Sequence, residues 1–278
     1  MRETIHFGTS GWSYKDWVGP FYPEGTSQAN WLVKYAEQFR CVEVDATFYR
    51  VPSIRVVEGW AKRTPEHFRF APKVPGIVTH GAESERPNVA KVLVDENDVL
   101  ATFLDALAPL GDRLGPVVFQ FPYFRVKELG LDEFLPRLER VLARLPADTR
   151  FAVEIRNKGW VGPALLDTLR RHRVAAVMID HPYMPRPREQ LELGMLTSDF
   201  TYIRLLGDRY KIEETTKEWS AIVVDKSRRL AEWAEVLQKI AIDQGIGAAW
   251  IFANNHFAGH GPATIRQLMS YLPGENTP

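Results

Sequence analysis

Eight short apolar segments alternating with stretches of helical periodicity leave this chain few ways to fold. The strand candidates are Ile5–Gly11, Cys41–Phe48, Arg69–Pro75, Val117–Pro122, Arg150–Arg156, Ala175–His181, Thr201–Gly207 and Ala248–Asn255. Helical spacing runs through Ala29–Phe39, Ser53–Lys62, Glu96–Leu110, Asp132–Leu145, Gly162–His172, Lys226–Asp243 and Pro262–Leu272. Tyr183–Asp199 is rich in proline and holds at most a turn or two of helix. The pattern predicts a single domain over residues 1–278, a (β/α)8 barrel whose helix between the sixth and seventh strands is reduced or missing. Connection lengths agree. Long segments follow the first strand (Trp12–Gln28), the third (Gly76–Asp95) and the seventh (Asp208–Asp225), while returns such as Phe39–Cys41, His172–Ala175 and Gln244–Ala248 are short. Barrel enzymes enlarge the loops on the face that carries the chemistry. An open doubly wound sheet is the alternative, but no glycine-rich dinucleotide fingerprint follows the first strand.

The 278 residues include 35 basic and 35 acidic ones, so no global field favours nucleic acid or an anionic membrane. Cys41 is the one cysteine, which excludes an internal disulfide and a multi-cysteine metal site. Met1–Trp12 lacks the basic and apolar pattern of a signal peptide, and no run approaches roughly 20 apolar residues. The expectation is a cytoplasmic protein with a small-molecule substrate; oligomeric state is left open.

Charged residues recur near the ends of the strands. In Phe151–Trp160, Phe151, Val153 and Ile155 share one face while Ala152, Glu154 and Arg156 share the other. The second strand offers Glu43, Asp45 and Thr47 in phase, the third ends at Lys73, and the fourth sets Gln120 between Phe119 and Phe121. The sixth offers Asp180, the seventh Arg204 beside Tyr202, and the eighth Asn254 and Asn255. Any one could belong to a structural ion pair. As a set they predict a polar pocket at the carboxyl ends of the strands. Gly259, Gly261 and Pro262 precede the last helix, and with Arg204 they suggest an anion site there. His181 beside Asp180, and His80 after Thr79, could join carboxylates around a divalent metal, though no cofactor is strongly implied. His256 and His260 are interrupted by glycine and do not read as a helical ligand pair. Trp12, Tyr14, Trp17, Phe21 and Tyr22 crowd the first loop, either to stack on a ligand or to close the loop over the mouth.

Taken in order, these segments resemble the YecE-like family of TIM barrels, a domain of unknown function (DUF72). The resemblance rests on Gly8-Thr-Ser-Gly-Trp-Ser-Tyr14 with Trp17 and Tyr22-Pro23, on Val42-Glu-Val-Asp-Ala-Thr-Phe-Tyr-Arg50, and on Phe70-Ala-Pro-Lys73 with Thr79-His80. Phe119-Gln-Phe-Pro122, Val153-Glu-Ile-Arg156 with Trp160, Tyr202-Ile-Arg204 and Asn254-Asn255 complete it. The chain departs from the family pattern at Pro262-Ala-Thr-Ile265, where asparagine and alanine are frequent at the last two positions, and at Leu206, where histidine is frequent. The resemblance implies a TIM barrel with a pocket of these residues, Tyr49 among them, and an inferred association with sugar isomerases.

The chemistry these residues suggest is acid–base work on a small polar or anionic substrate, such as a sugar or its phosphate. Neighbouring cations lower a carboxyl pKa by roughly 1–3 units, so Glu43 and Glu154 are expected as bases or acceptors rather than proton donors. Lys73 could donate a proton or polarise a carbonyl, Arg156 and Arg204 could hold a carboxylate or phosphate, and Gln120 and Asn255 could orient hydroxyls. Three other readings stay open: a Schiff base at Lys73, a divalent metal among Glu43, Glu154, Asp180 and a histidine, and a non-catalytic nucleotide or nucleic-acid binder. Net neutrality makes the last the weakest.

Overall fold

A computed structural model describes residues 5–83, 86–94, 97–243 and 245–273. The strands are β1 (Ile5–Thr9), β2 (Cys41–Val44), β3 (Arg69–Pro72), β4 (Val117–Gln120), β5 (Phe151–Glu154), β6 (Ala175–Asp180), β7 (Phe200–Leu205) and β8 (Ala248–Ala253). Every pairing is parallel. Six strands form one curled sheet in the order β1-β8-β7-β6-β5-β4, a half-barrel compatible with a TIM-like fold, and β2 pairs with β3 in a second sheet. Isolated parallel bridges join the two sheets, Ser10 to Glu43 at one seam and Lys73 to Val118 at the other.

Parallel strands covered on both faces read as continuous apolar runs. β6, Ala-Ala-Val-Met-Ile-Asp, is buried at every position. Helices cover the outside. In Ser227–Ile242, Leu230, Trp233, Leu237 and Ile240 recur at three- and four-residue spacing and are buried. Pro163 opens the helix Pro163–Arg171, where its missing N–H costs nothing. The Ser53 hydroxyl accepts from Val56 N (3.4 Å) at the start of Ile54–Lys62. Gly8 is required where β1 meets β2, since a Cβ there would lie 2.3 Å from the Cys41 carbonyl oxygen.

The proline-rich stretch after β6 holds one short helix, Pro187–Glu192, as its sequence suggests. The second strand is shorter than expected. It stops at Val44, and Ala46–Tyr49 turn into a short helix in which the Thr47 hydroxyl bonds the carbonyls of Val44 (2.9 Å) and Lys73 (2.7 Å). Thr47 therefore ties β2 to β3 instead of lining the pocket. The helix expected at Glu96–Leu110 runs over Val99–Leu107; its Glu96 start, the Asp95 end of the long segment after the third strand and the Gln244 turn lie outside the described residues. No helix among the described residues is long and apolar enough to cross a membrane.

Candidate functional site

At the carboxyl ends of the strands the polar residues of β2, β5 and β7 converge. Register explains why. Tyr202 and Arg204 alternate on β7, and Glu154 ends β5 opposite Gln120. Arg204, 1 % exposed, donates through Nη2 to Glu43 Oε1 (2.7 Å) and through Nη1 to Glu154 Oε2. The Tyr202 hydroxyl donates to Glu43 Oε2 (2.7 Å). Glu43 and Glu154 are both sealed from solvent. These four side chains form an inner layer in which each carboxylate has at least one charged partner, as burial demands.

A second layer lies nearer solvent. Lys73 pairs with Asp45 and stands 3.7 Å from Glu43 Oε1. Arg156 donates through Nε to Glu154 Oε1 (2.9 Å). The side chains of Asp45 and Arg156 are about one-third exposed (31 % and 30 %), whereas that of Lys73 is 8 % exposed. Three carboxylates, Glu43, Asp45 and Glu154, balance three cations, Lys73, Arg156 and Arg204. The pairing in the two layers is unequal. Arg156 spends only Nε inside the protein; its Nη1 and Nη2 groups donate to no described residue. The side-chain amide of Gln120, half-buried beside Glu154, likewise has no hydrogen-bond partner among the described residues. Arg204 Nε and Ser10 Oγ are buried without partners among those residues.

The charges set the protonation states. Burial raises the Glu154 carboxyl, but Arg204 and Arg156 outweigh it and hold the group down at about 2. Asp45 is likewise opposed by burial and brought below the ordinary carboxyl range by Lys73 and Arg204. Burial pushes the Tyr14 hydroxyl up, with Asp45 and Glu43 adding to the effect, so the first loop reaches the site. Tyr14 is itself fixed, donating to the Ser10 carbonyl (3.0 Å) and lying 4.6 Å from the Trp17 ring. Trp12 packs edge-on against Trp60 and Phe70. Tyr49 is 60 % exposed at the end of the helix that follows Asp45.

Other candidates are placed elsewhere. Asp180 turns outward beneath the helix Ser227–Ile242, accepting from Trp233 Nε1 (2.7 Å) with Arg229 at 3.4 Å. It does not join Glu43 and Glu154, and no group of three or more potential metal ligands occurs among the described residues. Asn254 Oδ1 accepts from His256 N (3.0 Å), capping a short helix. Asn255 Oδ1 accepts from Gly261 N (2.8 Å). Added Cβ atoms at Gly259 and Gly261 would meet the Ala221 carbonyl (2.5 Å) and the Thr9, Ala253 and Asn255 atoms (3.2 Å). The two glycines are thus packed against protein, and Arg204 is engaged by carboxylates rather than by that corner. Tyr202, noted in the sequence only as the neighbour of Arg204, enters the cluster as a partner of Glu43; its in-phase position two residues before Arg204 is the signal for that role.

A parallel α/β fold of the TIM type with an ionic cluster at its strand ends defines the class of protein. The chain belongs to the family described as protein of unknown function DUF72, which it matches over residues 6–278. It is 31 % identical to the UPF0759 protein YunF of Bacillus subtilis over 281 residues, covering 96 % of this chain and 94 % of that one. It is also 31 % identical to the UPF0759 protein YecE of Escherichia coli K12 over 182 residues, where the match spans 63 % of this chain and 59 % of the relative's length. The crystal structure of a DUF72 family protein from Thermotoga maritima superposes with a TM-score of 0.73 at 27 % identity, covering 96 % of this chain and 98 % of that one.

Proposed function

We propose that this chain is an enzyme performing isomerase- or epimerase-type acid–base chemistry on a small anionic substrate such as a sugar phosphate. In this reading the two sheets are parts of one closed eight-stranded barrel in a single domain, a view supported by the bridges at both seams. One observation carries the functional reading. Beside an inner layer whose carboxylates are all paired, the half-buried guanidinium of Arg156 keeps both Nη groups unspent among the described residues. A purely structural ion cluster has no use for such a group, whereas an oxyanion binds it bidentately.

The inner layer then serves as a support. Glu154, ionised at any ordinary pH, orients Arg156, and Glu43 is held by Tyr202 and Arg204. The proton is taken by Asp45, the carboxylate of the cluster with access to solvent. It removes a proton from the carbon next to a carbonyl; the C–H electron pair becomes a C=C bond and the carbonyl π pair moves to oxygen. The Lys73 ammonium stabilises that oxygen. Return of the proton to the former carbonyl carbon, with the hydroxyl proton of the adjacent carbon passing to the enolate oxygen so that the hydroxyl-bearing carbon becomes the new carbonyl, gives an isomer; return to the opposite face of the carbon it left gives an epimer, with no change of oxidation state overall.

A thermal-shift screen of sugars, sugar phosphates and nucleotides, run on the wild type, Asp45→Asn and Arg156→Gln, tests this. A sugar phosphate is expected to stabilise the wild type and Asp45→Asn but not Arg156→Gln. In D2O the wild type, and not Asp45→Asn, is expected to exchange deuterium into that ligand beside its carbonyl. Ligands that stabilise all three proteins equally, or binding without exchange, would contradict the proposal.

A further inference from the structure

The observations around Arg156 extend to two histidines. We propose that His80 and His181 are neutral hydrogen-bond donors which, with Arg156, form the seat of the substrate's phosphate group; this rests on the reading of Arg156 given above. His80 directly follows the short helix Gly76–Thr79 beyond β3, Arg156 lies two residues beyond β5, and His181 directly follows β6. These strand ends are neighbours around the sheet, with β4 and Gln120 between the first and second. Among the charges acting on each imidazole, that of Arg156 is the largest.

Hydrogen bonding fixes which nitrogen carries the ring proton. His80 is 3 % exposed, and its Nδ1 lies 2.9 Å from the Thr79 hydroxyl. Thr79 is fully buried and its hydroxyl has no other partner among the described residues. If Nδ1–H donated to that oxygen, the hydroxyl proton would be left unsatisfied in the interior. The arrangement that satisfies both groups has the hydroxyl donating to Nδ1, which leaves the ring proton on Nε2. His181 Nδ1 accepts from the Tyr183 backbone N–H (3.4 Å), so its ring proton also sits on Nε2. Neither Nε2 has a partner among the described residues.

Both rings are held neutral. Burial lowers His80 to about 4, with Arg156 and Lys73 adding to the effect and Glu154 opposing it. Burial and Arg156 lower His181 against Glu154 and Asp208. Phe48 meets His80 edge-on at 4.8 Å and brings no charge. A second cation beside Arg156 is unfavourable without a ligand, whereas a neutral N–H costs little when the site is empty. The donors come from three different strand ends. That distribution suits the outward oxygens of a tetrahedral oxyanion better than a planar carboxylate.

Sulfate is the probe, because it stays dianionic across the range where imidazole and phosphate titrate. Calorimetric titration of the full chain between about pH 6.5 and 8.5 is expected to give an affinity that changes less than about threefold. His80→Leu and His181→Leu should each weaken binding about tenfold, the value of one charge-assisted hydrogen bond. His80→Gln, whose amide N–H can stand near Nε2, should restore most of it. Affinity falling steadily with rising pH, or leucine variants that bind like the wild type, would overturn the proposal. If Arg156→Gln alone abolishes binding, the reading of Arg156 stands and that of the histidines falls; if Arg156→Gln also binds normally, both fall. Imidazole 15N spectra at pH 7 give a check independent of substitution: both residues should show the neutral Nε2–H form, and an Nδ1–H or doubly protonated ring at either position contradicts the assignment.

Discussion

The inner and outer layers of the ionic cluster hold the same kinds of side chain and differ in how fully those are engaged. Glu43, Glu154 and Arg204 are sealed and joined to one another, with Tyr202 on Glu43. Asp45 and Arg156, each two residues further along its chain, keep about a third of their side-chain surface. Burial forces pairing, and a charge committed to pairing has little left for a ligand. Charges at the mouth escape that constraint. The inner layer is therefore a scaffold, and the outer layer, with Arg156 at its centre, is where chemistry is proposed.

The comparison can be broken most easily at Arg204. Arg204→Met leaves two carboxylates buried without their shared partner and is expected to destabilise the protein by about 3–5 kcal/mol, read by urea denaturation at pH 7. A loss under about 1 kcal/mol would show that the inner pairs carry no structural weight. Next comes acid. The Glu154 carboxyl falls from its ordinary 4.5 to about 2 on folding. A depressed carboxyl contributes stability that is present above its unfolded pKa and lost as the pH falls through the folded one, here about 3 kcal/mol lost between roughly pH 5 and 2. Asp45 shifts in the same direction and adds to the slope. Glu154→Gln should flatten that acid limb, and an unchanged limb would contradict the pairing.

Arg156→Gln should divide the two layers cleanly. Its stability cost is expected under about 1 kcal/mol, because the side chain is partly solvated, while oxyanion binding falls by at least about tenfold. Equal losses of stability and binding would place Arg156 with the scaffold. The smallest effect belongs to an ion pair on the surface. Arg188 and Glu235 are paired with side chains 58 % and 51 % exposed. Arg188→Ala should leave the denaturation midpoint where it is in the wild type, and a clear shift would contradict the view that solvated pairs carry little weight.

Much of this was legible in the chain itself. The strand–helix alternation and the in-phase charges on the second, fifth and seventh strands pointed to the cluster, because period-two spacing places Glu154 and Arg156 on one face. Asp180 was misleading for a physical reason. β6 is buried on both sides and carries no apolar–polar alternation, so its phase is visible only in the pairing of Ile179 with Arg204 and Asp180 with Leu205. Glycines at 259 and 261 announce close approach without saying to what; here it is to the protein's own backbone and side chains. The short helices Ala46–Tyr49 and Gly76–Thr79 span too few residues for periodicity to register. The histidines at 80 and 181 were visible as residues, but their ring protons are fixed by Thr79 and a backbone N–H that only the fold brings into place.

The most direct measurement is an arginine side-chain NMR titration of the full chain with sulfate at pH 7. The account predicts that the Arg156 guanidinium signals shift and saturate while those of Arg204 stay in place. Shifts at Arg204 with Arg156 unmoved, or no shift at either, would contradict it.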